Sequence, residues 1–166
     1  DTQWQVLYRV AGITAIVLVF TIFVAVIAYF IWPYAPGVET TESVFAAIQE
    51  SRIGGLVALD VSLLVGMVIQ VPLLLALYVA LKPTNASYAL LAVTLGMIAV
   101  VAMIPTRPAL EMLVLSDQFA VATTEAARAQ YLAAGETLLT FFSGTAWAVA
   151  TILLAISGMI TGGLML

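Results

Sequence analysis

The strongest constraint on this chain is the spacing of its charged residues. No charge lies between Val10 and Val38; Asp60 and Lys82 bracket 21 uncharged residues, Lys82 and Arg107 bracket 24, and the 30 residues after Glu136 carry none. A hydrocarbon core about 30 Å thick is crossed by about 20 apolar residues in a helix, which satisfies its own backbone hydrogen bonds where there is no water. The runs predict four transmembrane helices near 6–32, 53–81, 87–104 and 137–164. No alternation with a period of two marks barrel strands. The expected fold class is therefore all-α: one domain over 1–166, an integral membrane bundle of four transmembrane helices with two short amphipathic helices in its outer loops.

Composition agrees and narrows the chemistry. Hydrophobic residues make up 64% of the 166 and charged residues 8%, against roughly 25% charged in an ordinary soluble domain. With no cysteine, disulfides, thiolate metal sites and thiol nucleophiles are excluded. With no histidine, imidazole ligation of haem, zinc or copper and the commonest acid–base residue are gone too. No metal site is expected, and the net charge of -4 argues against a nucleic-acid partner.

The first run is too long for the apolar region of a signal peptide and lacks a small-residue cleavage site. Aromatic residues stand at both of its ends, Trp4 and Tyr8 at one and Tyr29, Trp32 and Tyr34 at the other, as in a helix anchored at two interfaces. The chain does not begin with methionine and ends in apolar sequence, so the natural protein is expected to be longer. Lys82-Pro83-Thr84-Asn85-Ala86-Ser87 is a tight polar turn; its match to a glycosylation sequon is of a frequency that chance supplies. The other two connections are long. Thr41-Glu42-Ser43 is suited to cap a short helix through Arg52, and Thr124-Glu125 another through Arg128 and Tyr131 toward Gly135. Pro105-Thr106-Arg107-Pro108 stops one helix and starts the next, with Glu111 one turn past Arg107.

Four spans put both long loops on one side. That side holds Glu39, Glu42, Glu50, Asp60, Glu111, Asp117, Glu125 and Glu136 against Arg52, Arg107 and Arg128; the other holds Arg9 and Lys82 against Asp1. The local basic surplus at the tight turn places the N-terminus and Lys82 in the cytoplasm. The halves 6–81 and 87–164 share short similarities: Tyr8 and Gly12-Ile13-Thr14 with Tyr88 and Ala92-Val93-Thr94, and Thr40-Thr41-Glu42 with Thr123-Thr124-Glu125. These are compatible with a parallel hairpin repeat or with convergence.

Helices in lipid associate through small residues that permit close backbone approach. Gly144, Ala148, Thr151, Ala155, Gly158 and Gly162 recur in steps of four and three along the last span, a stripe suited to left-handed packing. Ala89, Ala92, Gly96 and Ala99 repeat it in span three, and Gly55, Ala58, Ser62 and Gly66 in span two. Packing inside the chain's own bundle is the expected use, with Gly158 and Gly162 the best placed for an external contact.

Polar residues inside a membrane are costly. Asp60, read as two turns into span two, costs about 2.5–3.5 kcal/mol on insertion scales if left alone. Arg52 and Arg107 enter from the same side as partners, and Glu111 or Glu136 can complete an outer polar cluster. A structural ion pair is the favoured reading of that cluster, and a ligand pocket the other. Gln70 lies mid-membrane near Pro72, whose missing N–H frees the Val68 carbonyl; a simple kink is expected, not a transporter's broken helix. No catalytic motif is present. No cofactor is required, although a bound lipid, or a carotenoid packed by Phe20, Phe23, Tyr29 or Trp147, is compatible with the composition.

Tyr8-Arg9-Val10-Ala11-Gly12-Ile13, Arg52-Ile53-Gly54, Leu81-Lys82-Pro83-Thr84-Asn85 and the Gln130-to-Gly144 approach to span four resemble a bacterial multi-pass membrane family, domain of unknown function 4386. The resemblance implies a bacterial cytoplasmic membrane and further helices beyond these four, and it supplies no catalytic residues. Together these readings lead to the expectation of a non-catalytic membrane subunit or scaffold, in contact with lipids and with other membrane subunits or itself. The alternative is a transporter or binder of a small or lipidic ligand at the outer polar cluster.

Overall fold

A computed structural model describes residues 2–32 and 40–166. Asp1, Pro33, Tyr34 and Glu39 lie outside the described residues, as does the side chain of Ala58. The described residues are mostly helical, with no strand among them, and four stretches are long and apolar enough to cross a membrane. It is an all-α helical bundle.

The first crossing is α1 (Gln5–Ile31). Two short helices follow on the loop side, α2 (Thr41–Glu50) and α3 (Arg52–Ala58). The hydroxyls of Thr40 and Ser51 accept from Ser43 and Gly54 N–H at 3.2 and 3.1 Å, satisfying donors that the first helical turn leaves open. The second crossing comprises α4 (Val61–Ile69) and α5 (Val71–Leu81), and α6 (Ala86–Met103) is the third. A 3-10 turn over Ile104–Thr106 leads into α7 (Ala109–Val121), and α8 (Glu125–Leu139) and a second such turn over Thr140–Ser143 precede α9 (Thr145–Met165).

Three boundaries differ from the sequence expectation. Span two does not run unbroken from 53, because Asp60 adopts the left-handed conformation, φ 53° and ψ 39°, and separates α3 from α4. The loop side carries four helices where two were expected, α3 and α7 joining α2 and α8. The run expected as one helix over 137–164 is divided by the 3-10 turn over Thr140–Ser143 into the end of α8 and α9. Asn85, read as part of a turn, caps α6 by accepting from Ser87 and Tyr88 N–H, each at 3.2 Å. At Gln70 the backbone N–H reaches the carbonyls of Gly66 and Val68, so the Val68 carbonyl that Pro72 cannot serve still meets a donor.

Within the bundle α1 packs on α4 and α5, α5 packs on α6, and α6 and α9 share the most extensive interface. Helix α6 is the hub: Ala89, Ala92, Val93, Gly96, Ala99, Val100 and Met103 are all buried, whereas α1 buries Ala11 and Thr14 alone. Small residues bring α6 against α9 closely enough for the Ser157 hydroxyl to donate to the Ala92 carbonyl at 2.7 Å. The largest apolar cluster lies on the loop side, where Val44, Phe45, Ile48, Leu59, Ala109 and Met112 form a core joining α2, α7 and the end of α3. Helix α8 closes on it at Gly135, where any side chain would overlap Thr41 and meet Phe45.

The expected internal use of the α9 stripe does not hold. Ala148, Thr151, Ala155, Gly158 and Gly162 are exposed, and Ala150 and Ser157 are the buried positions. The side facing α6 lies one residue, about 100° of helix rotation, away from the stripe.

The two Thr-Thr-Glu triplets are used differently. Thr40 caps α2 from the first position of its triplet, and Thr124 caps α8 from the second of its own, donated to by Ala127 N–H at 3.2 Å.

Candidate functional site

The polar center of the molecule is built where helices end. Asp60 terminates α3 in a backbone conformation that aspartate tolerates better than most residues, and this turn brings its carboxylate to face two other segments. Its Oδ1 accepts from the Tyr29 hydroxyl of α1 at 2.5 Å and from the Ser62 hydroxyl at 3.4 Å. Its Oδ2 accepts from both Nε and Nη2 of Arg107, each at 3.2 Å.

Arg107 reaches this position because Pro105 and Pro108 prevent α6 from continuing into α7. Its Nη1 donates to the Thr106 carbonyl at 3.0 Å, the Thr106 hydroxyl at 3.1 Å and the Phe142 carbonyl at 3.4 Å. The guanidinium also sits 4.8 Å from the center of the Phe142 ring, a cation–π distance. Side-chain exposure is 6% for Arg107 and 13% for Asp60. Every nitrogen of the guanidinium is thus engaged within the chain, which is the condition under which a desolvated ion pair is tolerated. One cluster ties together α1, the α3–α4 turn and both 3-10 turns.

Other expected members of the cluster lie elsewhere. Arg52 does not pair with Asp60; it donates to Asp117 of α7 at 3.0 Å, with both side chains at least half exposed. Glu111 is exposed in the first turn of α7, where a carboxylate favours the helix N-terminus, and borders a depression lined by Leu110, Val114, Ala134 and Thr137. Glu136 is exposed on α8, beside Thr40, Thr41 and Glu42. Neither glutamate contacts Asp60 or Arg107 through a hydrogen bond or ion pair. Phe20 and Phe23 point outward from α1, so the aromatic residues considered for a carotenoid do not converge. Among the described residues no group of acidic side chains is arranged to hold a metal.

Sequence reasoning missed two polar contacts. In the sequence Tyr29 reads as an interfacial anchor or a carotenoid contact, and nothing in a single sequence relates it to Asp60. Ser116, fully buried on α7, donates to the Phe45 carbonyl at 3.3 Å and accepts from Gln49 Nε2 at 2.9 Å; its spacing within an amphipathic helix gave no signal.

A groove of about 380 Å³ runs between α1 and α4 from this cluster. Tyr29, Asp60 and Ser62 stand at one end and Gln70 at the other, with Leu18, Ile22 and Gly66 between them.

These features define a multi-pass helical membrane protein with a satisfied ion pair at the loop-side end of its bundle. No protein-family model, curated protein or solved structure matches the chain.

Proposed function

We propose that this protein is a non-catalytic membrane subunit that packs against another transmembrane helix through the outer face of α9. The observation that carries the reading is the exposure of a continuous small-residue stripe. A Cβ added to Gly158, Gly162 or Gly163 meets no atom within 4 Å, and Ala148, Thr151 and Ala155 on the same face are exposed. Lipid tails do not require small residues; a closely approaching helix does. The internal saturation of the Asp60–Arg107 pair supports a structural role for this buried charge cluster. The local basic surplus at Arg9 and Lys82 supports an N-terminus on the cytoplasmic side, and the family resemblance of the sequence supports a bacterial cytoplasmic membrane.

The test is a double substitution, Gly158→Leu with Gly162→Leu, read by cross-linking of the protein in its native membrane and by thermal unfolding. The proposal expects the cross-linked species to be lost while the melting temperature holds. Unchanged cross-linking with the same stability would leave the stripe facing lipid alone and refute it.

A further inference from the structure

We infer that the loop-side helices α2, α7 and α8 form a cap that swings on the membrane bundle as one body, with α3 as its axle and the Asp60–Arg107 pair as its catch. The inference is independent of the α9 contact. It starts from two separate apolar cores. The loop-side cluster of Val44, Phe45, Ile48, Leu59, Ala109 and Met112 contains no residue of α1, α5, α6 or α9, and α4 reaches its margin through Val61. The bundle instead centers on the buried face of α6. Helices α2, α7 and α8 pack chiefly on one another; of the loop-side helices, α3 is the one that packs on the crossings, against α1 and α4. Its Ile53, Leu56 and Val57 face Thr21, Val24 and Ala28 of α1 across a shallow gap.

Between the two cores the helices break. Among the described residues the chain passes from one body to the other at Asp60, at 104–108 and at 140–144, and none of these passages is a continuous α-helix. An unbroken helix would couple cap and bundle rigidly, whereas a left-handed residue or a short 3-10 turn lets a few dihedral angles absorb a change of direction. Each break also contributes one member of the polar cluster. The first supplies the Asp60 carboxylate, the second the Arg107 guanidinium, and the third the Phe142 carbonyl and ring. Tyr29 ties the carboxylate to α1, so the three breaks are fixed to one another and to the bundle by directional polar bonds. Releasing the ion pair frees the α6–α7 break from the α3–α4 break and leaves the packing within each apolar core intact. The edge of the cap carrying α7 and α8 then turns about α3.

The experiment measures distances between spin labels in the protein reconstituted in lipid nanodiscs, together with amide hydrogen exchange. Labels on cysteines at Ala129 of α8 and Ser87 of α6 report cap against bundle, and labels at Ala46 of α2 and Ala129 report the cap itself; all three positions are exposed. Asp60→Asn removes the charge and keeps a residue that tolerates the left-handed turn. In this variant the Ala129–Ser87 distance should acquire a second population while the Ala46–Ala129 distance keeps its wild-type width. Amides of α2, α7 and α8 should exchange faster by one common factor of about a hundred, as loss of one partner of a buried ion pair implies, with α6 still protected. Arg107→Lys, which retains the charge but not the paired donors, should show the same opening to a smaller extent, and it serves as the comparison if Asp60→Asn does not fold. Broadening of both distances would mean that the cap melts instead of swinging. An unchanged Ala129–Ser87 distance in the folded variants, or unequal acceleration among α2, α7 and α8, would equally overturn the inference.

Discussion

Arg107 directs two of its nitrogens to a single oxygen of Asp60, each at 3.2 Å, and leaves the other carboxylate oxygen to Tyr29 and Ser62. The carboxylate thereby bridges the first crossing to the connection between the third and the fourth. Removing either charge leaves its partner desolvated, which costs about 3–5 kcal/mol for a buried pair. Asp60→Asn and Arg107→Gln should each lower the unfolding free energy by that order in a detergent or bicelle titration. The double variant should lose less than the sum of the two. Strict additivity would mean that the residues do not interact energetically.

Arg52 offers the contrasting case. Its ion pair with Asp117 has side-chain exposures of 69% and 50%, and exposed pairs contribute about 0–1 kcal/mol. Arg52→Gln should change stability by less than 1 kcal/mol in the same titration. A loss as large as that of Arg107→Gln would contradict the division of labour between the two arginines.

Gly135 should tolerate no side chain. Its backbone lies against Thr41 and Phe45, and overpacking a close contact costs about 1–3 kcal/mol. Gly135→Leu should therefore expose the loop-side core, seen as faster hydrogen exchange over α2 and α8 with unchanged protection of α6. Equal exchange in both proteins would show that α8 is not held there.

Orientation is open to a clean labelling test, since the chain contains no native cysteine. A cysteine at Ser43 or Thr124 should react with an impermeant thiol reagent in intact cells, and one at Thr84 should not. Reaction at Thr84 alone would invert the proposed topology.

The crossings were legible because a charge is costly in hydrocarbon, so the gaps between Asp60, Lys82 and Arg107 carry the signal directly. Pairing was less legible. Two arginines enter from the side of Asp60, and only the three-dimensional path of α7 brings Asp117 to Arg52. The break at Asp60 was hidden because aspartate in an apolar run reads as a buried polar residue, and one residue's left-handed turn leaves no periodic trace. The α9 stripe was visible, but its direction was not: a pattern of small residues shows a face that can be approached closely without showing by what. Ser157, one position away, lies against α6 and gave no such pattern.

The contact between Asp60 and Arg107 also sets an order of events during synthesis. The arginine is made 47 residues after the aspartate, an interval of about 2–9 s at 5–20 residues per second. Throughout it, the second crossing carries a carboxylate whose counter-ion does not yet exist. Tyr29 precedes Asp60 in the chain and Ser62 follows it by two residues, so both hydroxyls are available to Oδ1 long before the charge is neutralized. The third crossing must then emerge before Arg107 can arrive. The hydrogen bond from the Tyr29 hydroxyl to the Asp60 carboxylate is therefore the link the first two crossings have before the third helix is in place and the ionic lock can form.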